Sequence, residues 1–154
     1  MATDMHRAPR QVTAADLPAV RAVIEAAFAP YEARIGQKPA PMTDDHAAQI
    51  AAGNVMLIDG DGCVAAVLVL HPEAGEMVVD TLAVDPARQG QGLARILMTW
   101  AECRARESGL GALRLYTNAA MTTAIGLYGR CGYVETGRAV ENGFRRVHFR
   151  KDLR

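Results

Sequence analysis

The sequence predicts an α+β domain with three αβα layers: a mixed, mostly antiparallel sheet of about seven strands with helices on both faces. Three observations point there. Apolar residues recur at helical spacing in some segments and in short runs or alternation in others. Asp-Gly and Asn-Gly steps join neighbouring runs as tight antiparallel hairpins. One long helical segment separates two strand segments, and such a crossover gives a parallel pair.

The elements follow in order. Residues 1–9 read as a partly ordered tail, and residues 10–154 as one domain. A short strand opens at residues 10–13. Residues 14–28 read as a helix, because Leu17, Val20, Ile24 and Phe28 share a face. Thr13 and Asp16 are candidate caps, and Pro18 favours Asp16 because proline then falls in the first turn. Residues 30–42 hold three prolines and a glycine, which reads as a loop. Thr43 is expected to cap a short helix over residues 44–52. Residues 55–58 and 63–70 are apolar runs flanking Asp59-Gly60-Asp61-Gly62, a hairpin. Residues 77–84 form a further strand, stopped by Asp85-Pro86. A glycine-bearing loop leads into a helix over residues 93–107. Residues 113–117 alternate as a strand, residues 122–130 form a short helix, and residues 133–140 and 145–151 pair around Asn142-Gly143.

Bulk composition narrows the function. The 154 residues carry 17 basic and 17 acidic side chains, so no electrostatic footprint for nucleic acid or an anionic membrane exists. The longest apolar run is far too short to span a bilayer. Cys63, Cys103 and Cys131 form no CxxC pair, which suggests a reducing, cytoplasmic setting. His6, His46, His71 and His148 show no metal-binding spacing and read as structural or solvated.

The informative window is Leu82-Ala83-Val84-Asp85-Pro86-Ala87-Arg88-Gln89-Gly90-Gln91-Gly92-Leu93-Ala94. Alternate glycines let backbone amides approach an anion, and the following helix aims its positive end at the same spot. A phosphate loop of the form GxxxxGK[ST] is excluded, because no such lysine follows. A GxGxxG dinucleotide fingerprint also fails: Arg95 stands at the third glycine, and Glu107 lies within the helix. Gln89, Gly92 and Ala94 remain, as Gln-x-x-Gly-x-Ala.

That pattern resembles the glycine loop of the GCN5-related N-acetyltransferase (GNAT) superfamily. The downstream segment Ala124-Ile125-Gly126-Leu127-Tyr128-Gly129-Arg130-Cys131-Gly132-Tyr133 is similar to its Ala-Ile-x-Leu-Tyr-x-x-x-Gly-Phe segment. The element order agrees too, so the likeness covers roughly residues 10–152. One departure is Met121, where the family often has asparagine.

The resemblance implies an acyl-CoA N-acyltransferase fold and an enzyme using acetyl-CoA. The diphosphate would lie on Gln89, Gly90, Gln91, Gly92, Leu93 and Ala94. Leu82, Ala83 and Val84 would offer backbone amides to the pantetheine arm and thioester carbonyl, with Ala124 also at the cofactor. Tyr128 would protonate the leaving thiolate. The base is read from the residues themselves. Asp80 is the one charged residue within the apolar strand 77–84, two positions before Leu82 and so on the same face. Glu76 is a weaker candidate. For the acceptor, Tyr31, Arg34, Asp80, Thr81, Tyr116 and Asn118 are expected, with Arg34 suited to gripping a carboxylate. Cys131 has no nucleophile's base nearby, so direct attack by the amine is expected.

The acceptor is an amine, on a small molecule or a protein. A homodimer through the sheet edge or the C-terminal strands is one expected assembly. The competing readings are a non-catalytic acyl-CoA sensor on the same fold and a nucleotide-binding protein.

Overall fold

A computed structural model describes residues 8–154. Most of the expected tail, residues 1–7, therefore lies outside the described residues. Seven strands form one sheet in the order β1-β2-β3-β4-β5-β7-β6. They are β1 (Arg10–Gln11), β2 (Val55–Asp59), β3 (Val64–Glu73), β4 (Glu76–Val84), β5 (Ala112–Asn118), β6 (Val134–Glu141) and β7 (Phe144–Asp152). Every neighbouring pair is antiparallel except β4 and β5. That parallel pair is joined by α4 (Leu93–Glu107), as the crossover rule requires.

On one face, α1 (Leu17–Phe28) and α3 (His46–Ala51) bury Val20, Ile24, Phe28 and Ile50 against Leu57, Val67 and Val69. On the other, α4 buries Leu97, Met98, Ala101 and Ala105 against Leu68, Leu113, Leu115 and Phe149. Tyr128 of α5 (Thr122–Arg130) joins this second layer. Beneath α4 the buried Glu102 accepts from the Tyr133 hydroxyl at 2.9 Å and from Lys151 Nζ at 2.9 Å. Lys151 also donates to the Cys131 carbonyl at 2.8 Å, which fixes the C-terminal end of α5.

Several local expectations are corrected. Asp16 stands at the N-cap of α1 with Pro18 in the first turn, as expected, but its side chain makes no capping bond to the helix, and a 3-10 turn (Ala14–Asp16) with Thr13 at its own N-cap precedes α1. Asp16 instead reaches back to accept from the Thr13 amide at 2.9 Å and from Arg10 Nη2 at 3.0 Å. Residues 30–42 are not one loop. Prolines fit the first turn of a helix, and here they nucleate 3-10 turns at Ala29–Tyr31 and Ala40–Met42, with α2 (Glu32–Ile35) between them. Asp45, not Thr43, caps α3 by accepting from the Ala48 amide at 3.0 Å.

The Arg10 guanidinium, helped by the Thr13 amide, holds the Asp16 carboxyl down to about 2. A carboxyl depressed in the folded chain stabilises it above the unfolded value near ~3.9, and that contribution is lost as pH falls through the folded value. Arg10→Met is therefore expected to flatten the loss of melting temperature between about pH 4 and about pH 2. An unchanged acid limb in scanning calorimetry would count against this pairing.

The largest correction concerns β4. The pairing runs Val69↔Thr81 and then Leu70↔Val79, so Asp80 is an extra residue, a β-bulge. The bulge breaks the two-residue alternation. Met77, Val79, Leu82 and Val84 all pack toward the α4 layer, while Ala83 packs toward α1. Asp80 and Leu82 are therefore not on one face, because the register slips between them.

Candidate active site

The bulge also opens the sheet. β4 and β5 pair only through Met77↔Leu113, Val78↔Arg114 and Val79↔Leu115. Beyond Val79 the two strands diverge, and the edge of β4 facing β5 has no strand partner. Two adjoining cavities occupy the cleft beside the splayed strands.

The first is a groove along the β4 end and the start of α4. Leu82, Ala83, Val84, Gln89, Gly90, Gly92, Leu93 and Ala94 line it, as do Ala124 and Tyr128. These are the residues expected at the cofactor, with Gln91 alone outside the lining. Gly90 and Gly92 have φ of 84° and 79°, the left-handed region that favours glycine. Gly92 is the N-cap of α4, and the first helical bond runs from Ile96 N–H to the Gly92 carbonyl at 3.0 Å. The amides of Leu93, Ala94 and Arg95 come before that bond and are left for a ligand. A Cβ built on Gly90 or Gly92 would meet no atom within 4 Å among the described residues. The loop thus borders open space that glycine keeps clear. Sequence reasoning missed Arg88, Arg95 and Arg130, which also line the groove and make its wall basic. A diphosphate fits both the amides and these cations.

The second cavity lies on the α1 side, behind the 30–42 segment. Asp80, Thr81, Tyr116 and Asn118 line it, as expected for the acceptor. So do Asp44, Phe144 and Arg146, which the sequence reading did not single out. Tyr31 is instead on the cofactor groove, and Arg34 is exposed and lines neither cavity. Arg34 lies over the Tyr31 ring at 5.6 Å. Glu76, the weaker base candidate, pairs with Arg150 at 2.8 Å on the open sheet face, outside both cavities.

Asp80 has a partner that sequence spacing hid. His71 Nδ1 lies 2.6 Å from Asp80 Oδ2. The two are diagonal neighbours across β3 and β4, since His71 pairs with Val78. Burial pushes the Asp80 carboxyl up, and the nearby His71 pulls it part of the way back. Asp80 is thus a carboxylate in a cleft whose proton affinity burial raises above the ordinary carboxylate value. Beside it, the buried Thr81 hydroxyl has no hydrogen-bond partner among the described residues. His46 and His148 are also engaged: His46 contacts the Pro41 carbonyl at 2.8 Å, and His148 contacts Glu141 at 2.7 Å.

The two cavities share Phe28, Leu82, Met121, Ala124 and Tyr128. Tyr128 is buried, with its ring 5.6 Å from that of Phe149 and 6.1 Å from that of Tyr133. Burial pushes its phenol upward, so it stays protonated. Asn118 is held in a turn, accepting from the Ala120 amide at 2.9 Å. All three cysteines are unpaired, and none lines either cavity. Among the described residues no cluster suits a metal ion, and no helix is long and apolar enough to cross a membrane.

Comparison with known proteins agrees with this geometry. Residues 20–133 match the Acetyltransferase (GNAT) family. A mycothiol acetyltransferase of Nocardia farcinica is 42% identical over 63 residues, which is 41% of this chain and 20% of that protein. The chain thus spans about a fifth of the length of the curated relatives it matches. The fold resembles an N-acetyltransferase from Staphylococcus aureus Mu50 at TM-score 0.78 and 18% identity, covering 96% of this chain and 98% of that one. It also resembles PaiA N-acetyltransferase from Thermoplasma acidophilum, crystallised with coenzyme A, at TM-score 0.75 and 13% identity over 92% and 96% of the two chains. The glycine loop, the splayed β4–β5 pair and the match over most of the sequence place this chain in the GNAT family of acetyltransferases, whose donor is acetyl-CoA.

Proposed function

We propose that the chain transfers an acetyl group from acetyl-CoA to a primary amine by direct attack in a ternary complex. One observation carries the reading: a glycine-loop groove and a polar cavity meet at Leu82, Ala124 and Tyr128. Bound acetyl-CoA supplies a thioester whose carbonyl carbon accepts the amine.

This chain's residues meet three demands. An alkylamine with a pKa near ~10 is mostly protonated at neutral pH, so a base must take a proton. Asp80 is that base, with His71 orienting its carboxylate. Along Leu82, Ala83 and Val84 successive amides alternate between β3 and the edge that β5 leaves free. The Leu82 and Val84 amides therefore donate to the carbonyl oxygen as charge develops there and to the pantetheine arm, while Ala83 keeps the strand paired to β3. The new N–C bond forms as the C–S bond breaks, the proton left on the acylated nitrogen is lost to the departing thiolate, and Tyr128 donates a hydrogen bond to that sulfur. A thiol near ~8.5 is less basic than a phenol pushed above ~10, so full proton transfer is uphill. Tyr128 therefore acts mainly as a hydrogen-bond donor to the thiolate. The lack of a cysteine in either cavity supports direct attack over an acetylated enzyme.

Thiol release from acetyl-CoA with a panel of amines tests the reading. Tyr128→Phe is expected to lower kcat about 10- to 100-fold, with coenzyme A affinity held within about threefold. Unchanged kcat would remove Tyr128 from the chemistry. Tight coenzyme A binding without thiol release from any amine would favour the acyl-CoA sensor.

A further inference from the structure

We propose that the acceptor is an amino acid with an apolar side chain, held by its carboxylate on Arg146 while its amine faces Asp80. This rests on the acetyl-transfer reading above. Arg146 comes from β7 and lines the acceptor cavity, yet its side chain is only 12% exposed. Its guanidinium lies over the Tyr116 ring at 4.2 Å and near the Phe144 ring at 5.4 Å. Stacking on those faces fixes the plane of the group and leaves its N–H edges pointing sideways.

Those donors lack acceptors. Among the described residues the Arg146 side chain makes no hydrogen bond, and its one ion pair is a long one, to Glu141 at 4.0 Å. Glu141 Oε1 is already engaged by His148 Nε2 at 2.7 Å. A nearly buried guanidinium without hydrogen bonds is costly, and a planar carboxylate is the group that satisfies its fork. The cavity holds the complementary half as well. Asp80 is placed for an ammonium or amine, and the orphaned Thr81 hydroxyl next to it gains a partner from an amine N–H. Phe28, Ile35, Pro39 and Phe144 give the cavity an apolar stretch of wall, which suits an apolar side chain.

Asp44 also borders the cavity, and burial pushes its carboxyl up. It offers the competing occupant, a diamine with its second ammonium on Asp44. Arg146 disfavours that occupant, because a second cation at Asp44 would approach the guanidinium, whose charge already acts on that carboxyl.

The test uses the full chain with matched probes: phenylalanine, phenylalaninamide, phenethylamine and putrescine. Phenylalanine is expected to exceed the amide, the amine and the diamine by at least about tenfold in kcat/KM, through KM. In Arg146→Met that preference falls toward one, and in Arg146→Lys it is only partly kept, because lysine cannot form the two-point contact. Melting temperatures of both variants check that they fold. Equal or better turnover of the amide, phenethylamine or putrescine by the native chain would overturn the proposal. So would an equal loss for all probes in Arg146→Lys. Calorimetry of phenylalanine into the coenzyme A complex separates the two readings. If it binds, and Arg146→Met abolishes binding, while no amine is turned over, then acetyl transfer fails and the carboxylate site stands. If it does not bind and other amines are acetylated, the carboxylate site fails and acetyl transfer stands.

Discussion

Gly92→Val is expected to leave the chain folded and weaken coenzyme A binding by about 100-fold, equal to about 2.8 kcal/mol. Two effects act together. The residue sits at φ 79°, where a branched side chain is strained by about 1–2 kcal/mol or more. The new side chain would also project into the space that the groove keeps clear, in front of the first-turn amides of α4. Losing one or two charge-assisted hydrogen bonds, at about 1.5–3 kcal/mol each, accounts for the expected size. Calorimetry with coenzyme A, alongside a thermal melt, is the measurement. A folded variant with native affinity would show that this loop is not where the diphosphate lies.

Asp80→Asn is expected to lower kcat about 100- to 10,000-fold at neutral pH, the range of a removed general base. The pH profile carries the sharper test. Burial raises the carboxyl of Asp80, so the native rate should climb with pH through a limb above the ordinary carboxylate range. The base works only when deprotonated, so activity is lost on the acid side of that limb. In Asp80→Asn the limb disappears, and rate rises only as the amine itself loses its proton near ~10. The asparagine keeps the size and a hydrogen bond to His71, so packing is little disturbed. An Asp80→Asn profile that retains the native acid limb would assign the proton to another group.

Much of the groove proposed for the cofactor was legible from the sequence as a lining, and the reason is local. Leu93–Glu107 lies between Gly92 and Gly109, and Thr122–Arg130 is stopped by Gly132, so their limits were fixed close to the segments themselves. The glycine loop is a contiguous stretch whose function depends on backbone freedom and on the helix directly after it. By contrast, the turns within residues 30–42 were hidden because proline both breaks helices and starts them. The acceptor half was legible only in part. Asp80 stood out as a charge in an apolar strand, but its partner His71 is nine residues away in sequence and meets it only across a strand pair. Arg34 looked suited to a carboxylate because a guanidinium can grip one at two points, yet the fold leaves it exposed and brings Arg146 into the cavity instead.

The sequence by itself determined the family, the order of the strands and of the longer helices, and the glycine loop, since each depends on residues close together along the chain. The tertiary structure decided where charge meets charge. The bulge at Asp80 turned consecutive side chains to different faces and parted β4 from β5. It also brought Asp44, Asp80 and Arg146, far apart in sequence, to one cavity that joins the groove at Tyr128. A one-residue register slip leaves no compositional mark, because the strand remains apolar on either side of it, whereas its effect on side-chain direction reaches the whole of the following segment.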